Sequence, residues 1–111
     1  MLALLLLLAQ PGDFACSAQG TKLLVPATPP ESACARMRTA LARAGTRLEG
    51  ERIEVALRFE KPGIATARVT RGSGARAVSL PEISVATSDR AMGPSTIDLL
   101  AREIAGRLAR R

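Results

Sequence analysis

Between Arg52 and Phe59 the chain alternates without a break, with Ile53, Val55, Leu57 and Phe59 on one side and Glu54, Ala56 and Arg58 on the other. A period of two over this length is the pattern of a strand with one dry face and one wet face. Such a strand is stable only in a sheet whose dry face is covered, which calls for a two-layer fold. A turn at Pro62 and Gly63 leads into a second run, Ile64 to Arg71, with a weaker alternation at Ala65, Ala67 and Val69. Facing parity then sets the loop. A two-residue loop would put Phe59 opposite Thr66 and Leu57 opposite Arg68, whereas Lys61, Pro62 and Gly63 as a three-residue loop align the apolar sides. A further turn at Arg71, Gly72, Ser73 and Gly74 opens a third strand, Ala77 to Thr87. Its apolar positions change parity between Leu80 and Ile83, around a proline that donates no ladder hydrogen bond. The third strand is therefore expected to be kinked at Pro81 and to form an exposed edge.

Two helices flank these strands. Thr28 as a cap, Pro29 at the first helical position and Glu31 closing a capping box predict a helix start. Ala33, Cys34, Met37, Ala40, Leu41 and Ala44 then recur at spacings of three and four until Gly45 ends the run, with Arg36, Arg43 and Arg47 on the opposite side. Near the C-terminus, Ser95 to Asp98 resembles a helix cap, and Ile97, Leu100, Ala101, Ile104, Ala105 and Leu108 make a continuous stripe. On its outer face, Asp98 to Arg102 and Glu103 to Arg107 are four-residue pairs in the favourable order. The expected architecture is α+β, a three-stranded antiparallel sheet packed against two helices, with a short extra strand at Thr21 to Val25. Ile53, Val55, Leu57, Ile104 and Leu108 are its expected core.

The order helix, three strands, helix resembles that of the double-stranded RNA-binding domain. The resemblance is one of topology. In that family the second helix opens on a lysine-rich segment and the loop between the first two strands carries a histidine; here Ser95 to Leu100 is neutral to acidic and there is no histidine.

The first residues read as an address. Leu2 to Ala9 is an unbroken apolar run followed by Gln10, Pro11 and Gly12. It is too short to cross a membrane, which takes about 20 residues, and it has the length of a signal-peptide core. Small residues at Cys16 and Ala18 put the cut after Ala18, so residues 1–18 are expected to be a cleaved signal and residues 19–111 a single small α+β domain, exported to the periplasm, the cell envelope or the medium. Cleavage would remove Cys16 and leave Cys34 as a buried, inert thiol; if both remain, they can pair in an oxidising compartment. Phe14 and Phe59 are the only aromatic residues, so the core must be aliphatic and thin, and a second copy or a partner would help to cover it.

Charge and absent residue types narrow the chemistry. The net charge is +6, and fourteen of the sixteen cationic residues are arginine, the side chain suited to bidentate contact with phosphates and carboxylates. Arg68, Arg71 and Arg76, on and beside the second strand, are the candidate anion contacts. Without histidine there is no ordinary nucleophile pair, and two cysteines cannot complete a zinc site. Glu49, Glu51 and Glu54 read as a solvated charged face, and the RGSGAR segment, which joins two strands, reads as a hairpin turn. No cofactor, metal or catalysis is expected. The expected function is non-enzymatic binding of a protein or an acidic surface in the cell envelope, with self-association or a partner strand at the third-strand edge carrying Leu80, Ile83 and Val85. Contact with a membrane surface would be weak. Nucleic acid is the partner only in the alternative, an intracellular basic domain using arginine–phosphate contacts, because no exposed aromatic offers a stacking platform.

Overall fold

The computed structural model describes residues 14–48, 51–72, 74–87 and 91–109. The apolar run Leu2 to Ala9 lies outside them. In chain order the elements are β1 (Phe14–Gln19), a single 3-10 turn (Thr21–Leu23), α1 (Pro30–Arg43), β2 (Ile53–Glu60), β3 (Ile64–Arg71), a second 3-10 turn (Gly74–Arg76), β4 (Val78–Ser79), β5 (Ile83–Ala86) and α2 (Pro94–Ala109).

The class is α+β in two layers, and the sheet is larger than three strands: among the described residues it is mixed and five-stranded. Its centre is the β2–β3 hairpin. Phe59 lies opposite Ala65, Leu57 opposite Ala67 and Val55 opposite Val69, the register that the three-residue loop predicts. Gly63 holds the turn at φ +131°, and a Cβ there would come within 2.5 Å of the Thr87 carbonyl oxygen. That close approach fastens the end of β5 to the hairpin, because the Thr87 N–H donates to the Gly63 carbonyl at 2.8 Å. The third strand is broken where Pro81 stands. β4 pairs with Thr70 and Arg71, β5 pairs with Ile64 to Ala67, and Leu80 N–H bonds the Val69 carbonyl at 2.9 Å between them.

The addition that sequence periodicity missed is β1. It runs parallel to β2 from Phe14 opposite Ile53 to Gln19 opposite Arg58. Parallel neighbours need a crossover connection, and α1 supplies it. The expected strand at Thr21 to Val25 is instead the 3-10 turn, entered through Gly20 at φ +78°, where a Cβ would collide with the Phe59 carbonyl oxygen. Cys16 on β1 and Cys34 on α1 form a disulfide with their Cα atoms 5.7 Å apart, so the expectation of an unpaired Cys34 is corrected. A cut after Ala18 would fall inside β1 and separate Cys16 from its partner.

α1 begins one residue later than its capping pattern suggests, with Pro29 at the cap and Pro30 at the first helical position. Thr28 instead turns its hydroxyl back onto the Pro26 carbonyl at 2.8 Å. The far end is a Schellman closure: Gly45 at φ +91° donates to Ala42, and Thr46 donates to Leu41. α2 starts at Pro94, and the Thr96 hydroxyl accepts a hydrogen bond from the Gly93 N–H at 3.0 Å. This is one half of a capping box, made by threonine. Both helices lie on the dry face of the sheet, α1 over β1 and α2 over β3 and β5, and they also pack against each other. Ile53, Val55, Leu57, Ile104 and Leu108 are buried together with Met37, Leu41, Phe59 and Leu100.

Leu57 lies at the centre of that core, 2% exposed. Leu57→Ala should cost about 2 to 5 kcal/mol, read as a lower denaturation midpoint. The disulfide closes a loop across 18 positions of sequence, and Cys16→Ser should cost about 3 kcal/mol in the chain-entropy account, measured against the oxidised wild type by urea unfolding.

Candidate functional site

The outer face of the sheet carries three arginines, each beside a carboxylate. Arg52 meets Glu54 at 2.9 Å, Arg58 meets Glu60 at 3.6 Å and Arg68 meets Glu82 at 3.4 Å. The sheet surface is therefore close to charge-balanced.

The helix layer is not. α1 and α2 run in the same direction side by side, and the groove between them, about 500 Å³, is lined by Arg36, Arg43, Arg102 and Asp98 with Thr39 and small alanines. Arg36 and Arg43 are seven positions apart, two turns of α1, so they share a face. Asp98 reaches across to α1 and not along its own helix to Arg102. Arg36 donates to it twice, from Nε at 2.9 Å and from Nη2 at 2.7 Å. This fork holds the Asp98 carboxyl below its ordinary 3.8, chiefly through the Arg36 hydrogen bonds, against a smaller opposing effect of burial, with the charges of Arg36, Arg43 and Arg102 also favouring the anion. Arg36 is shifted upward by the same hydrogen bonds and charge. Three guanidinium groups thus surround one carboxylate, and Arg43 and Arg102 form no ion pair of their own among the described residues.

The arginines singled out from the sequence are placed differently. Arg68 and Arg71 belong to one strand but to opposite faces, as a separation of three positions in a period of two requires. Arg68 points into solvent on the outer face. Arg71 is only 15% exposed and faces the helices, where its Nη2 donates to Glu51 at 2.8 Å and its Nη1 donates to the Leu108 carbonyl at 3.1 Å. It caps the C-terminal end of α2. Arg76 is exposed in the second 3-10 turn, away from both. On the third strand, Ile83 is 3% exposed and faces the core, while Leu80 and Val85 are half-buried. None of the three is exposed, whereas Val78 on the same third strand is 55% exposed. The groove pair Arg43 and Arg102 was missed as a site because the two residues lie on different helices; the seven-residue spacing of Arg36 and Arg43 was the available signal. Among the described residues no group of three or more His, Cys, Asp or Glu could hold a metal ion, and no helix is long and apolar enough to cross a membrane.

A parallel β1–α1–β2 unit followed by an antiparallel continuation and a covering α2 defines the class of fold. The structure is similar to a ribosomal subunit interface protein from Coxiella burnetii, with a TM-score of 0.52 and 15% identity over 87% of this chain and 93% of that one. It is also similar to the N-terminal domain of Protein Y from Thermus thermophilus, with a TM-score of 0.50 and 12% identity over 88% of this chain and 97% of that one. No protein-family model and no curated protein matches the sequence. At this identity the likeness is one of fold.

These findings correct the functional expectation. The similar folds are those of a ribosomal subunit interface protein and a Protein Y domain, in place of the exported, secreted or periplasmic envelope protein that the apolar leader suggested. The leader misdirected the reading because residues just beyond it, Phe14 to Gln19, have the small, mildly apolar composition of a cleavage region and also of an edge strand.

The Asp98 pair gives a pH signature. Folding lowers the carboxyl's proton affinity, so its contribution is present above the ordinary carboxyl range and is lost as pH falls through the lower folded value. Relative to wild type, Asp98→Asn should show a slightly reduced urea midpoint above about pH 4. That difference should vanish in more acidic solution. The effect is small because both partners are substantially exposed.

Proposed function

We propose that this protein is a non-catalytic RNA-binding domain that docks on the structured RNA of the ribosome through arginine–phosphate contacts from its helix layer. The observation that carries this reading is the partition of charge: the sheet arginines are matched by glutamates, whereas Arg43 and Arg102 stand with open donors on an exposed groove. The fold shared with a ribosomal subunit interface protein supports the choice of partner.

The form of RNA follows from the aromatics. Phe59 is 2% exposed, and Phe14 is half-buried with the Arg38 guanidinium 5.8 Å from its ring centre. Phe59 is closed to a splayed base and Phe14 already carries a guanidinium over its ring, which favours contact with the phosphates and shape of folded RNA over recognition of single strands by stacking.

Cosedimentation with ribosomal subunits, together with fluorescence anisotropy on duplex RNA across a salt series, tests the proposal. Affinity should fall steeply with salt, linearly on logarithmic axes. Changing Arg43 and Arg102 together to alanine should reduce that slope by about two, one for each phosphate contact, whereas Arg58→Ala on the balanced sheet should leave it near wild type. Binding that ignores salt, or that survives the double substitution unchanged, would overturn the reading.

A further inference from the structure

We infer that Asp98 is an internal counter-anion of the helix groove, a positioning residue that occupies Arg36 and sets how much anionic charge the groove accepts from a phosphate-bearing partner. The inference deepens the proposed RNA contact and rests on it. Its basis is geometric. Asp98 sits on α2 in a favourable position to pair with Arg102 one turn along the same helix, yet its two oxygens take the Nε and Nη2 donors of Arg36 on the other helix. That fork uses one of the two donor edges with which an arginine can grip a phosphate.

Two consequences follow. Arg36 enters the groove with its Nε–Nη2 edge occupied and its charge offset by Asp98, so the groove offers two arginines without a carboxylate partner, Arg43 and Arg102, where the sequence supplies three. Asp98 also relieves the repulsion among three like charges that share one groove, and the downward shift of its carboxyl reflects all three of them. A phosphate approaching this site meets a carboxylate with 40% of its side-chain surface exposed, which repels it. A groove made in this way is selective against loosely placed polyanions: it rewards a partner that brings phosphates to Arg43 and Arg102 and penalises one that spreads charge over the whole groove.

The test compares wild type, Asp98→Asn, Asp98→Ser and Asp98→Glu in the full chain, each first shown by circular dichroism to be folded. The probe is a labelled RNA duplex titrated across salt. If Asp98 acts as a counter-anion, Asp98→Asn and Asp98→Ser bind about threefold tighter or more, the effect of removing one unit charge several ångströms from a phosphate in a water-like dielectric. Their salt slope steepens by about one as Arg36 gains a phosphate contact, and Asp98→Glu stays near wild type. A residue that merely fastened the two helices would give the opposite sign, with weaker binding in both neutral variants. Unchanged or weaker binding in both neutral variants, while wild type binds RNA, overturns this inference and leaves the RNA reading standing. If wild type does not bind RNA, that reading falls, and inorganic tripolyphosphate followed by amide chemical shifts on α1 and α2 becomes the probe. Tighter tripolyphosphate binding by the neutral variants then supports the counter-anion role, and equal or weaker binding overturns it.

Discussion

The rest of the structure depends on the one-sided burial of the β2–β3 hairpin. With Ile53, Val55, Leu57 and Phe59 on one face and charged or small residues on the other, the hairpin needs a single covering layer. Phe59 and Leu57 stand opposite Ala65 and Ala67, so large side chains on β2 meet small ones on β3. The low relief of β3 leaves room for α2, whose Ile97, Leu100, Ala101 and Ile104 are buried. α1 then covers the β1 side of the sheet. Two helices placed side by side on one face leave a groove along their outer contact, and the position of the groove is a consequence of the core.

Parallel helices bring like ends together. The C-terminal ends of α1 and α2 lie near each other around Thr46, Arg47, Glu51 and Arg71, which concentrates unpaired carbonyl groups there. Arg71 answers this from inside the fold: its guanidinium binds the Leu108 carbonyl while Glu51 neutralises its charge. One arginine is thereby spent on the architecture. Three more are matched on the sheet, and Arg43 and Arg102 in the helix groove have no such carboxylate of their own among the described residues. In a +6 chain, the sheet arginines are thus matched by carboxylates while the helix groove holds three arginines around one aspartate, a difference that composition alone does not show.

β1 is held by two different means. Its backbone pairs with β2 along its length, and its Cys16 is bonded to Cys34 of α1. Arg38, on the same helix, lies over the Phe14 ring. These contacts join the start of the sheet to the helix that carries Arg36 and Arg43, so the edge strand and the basic face belong to one mechanical unit.

By itself the sequence determined the hairpin with its three-residue loop, the break at Pro81, both helices and the five core residues named from them. In each case the signal is local: alternation, helical spacing, a proline without a donor or a glycine at positive φ. Tertiary structure alone decided the rest. β1 has a short and weakly patterned sequence that gains stability only from pairing with β2 across the α1 crossover, a partner far away in the chain. The same holds for the site. Asp98 joins Arg36 in place of Arg102 because helix packing brings them together, and Arg71, whose inward side follows from strand alternation, meets Glu51 and the end of α2 only because the fold places them there. Charge and motif spacing along the chain carry no information about which helices become neighbours, and it is that neighbourhood which separates arginines that support the fold from those that face a partner.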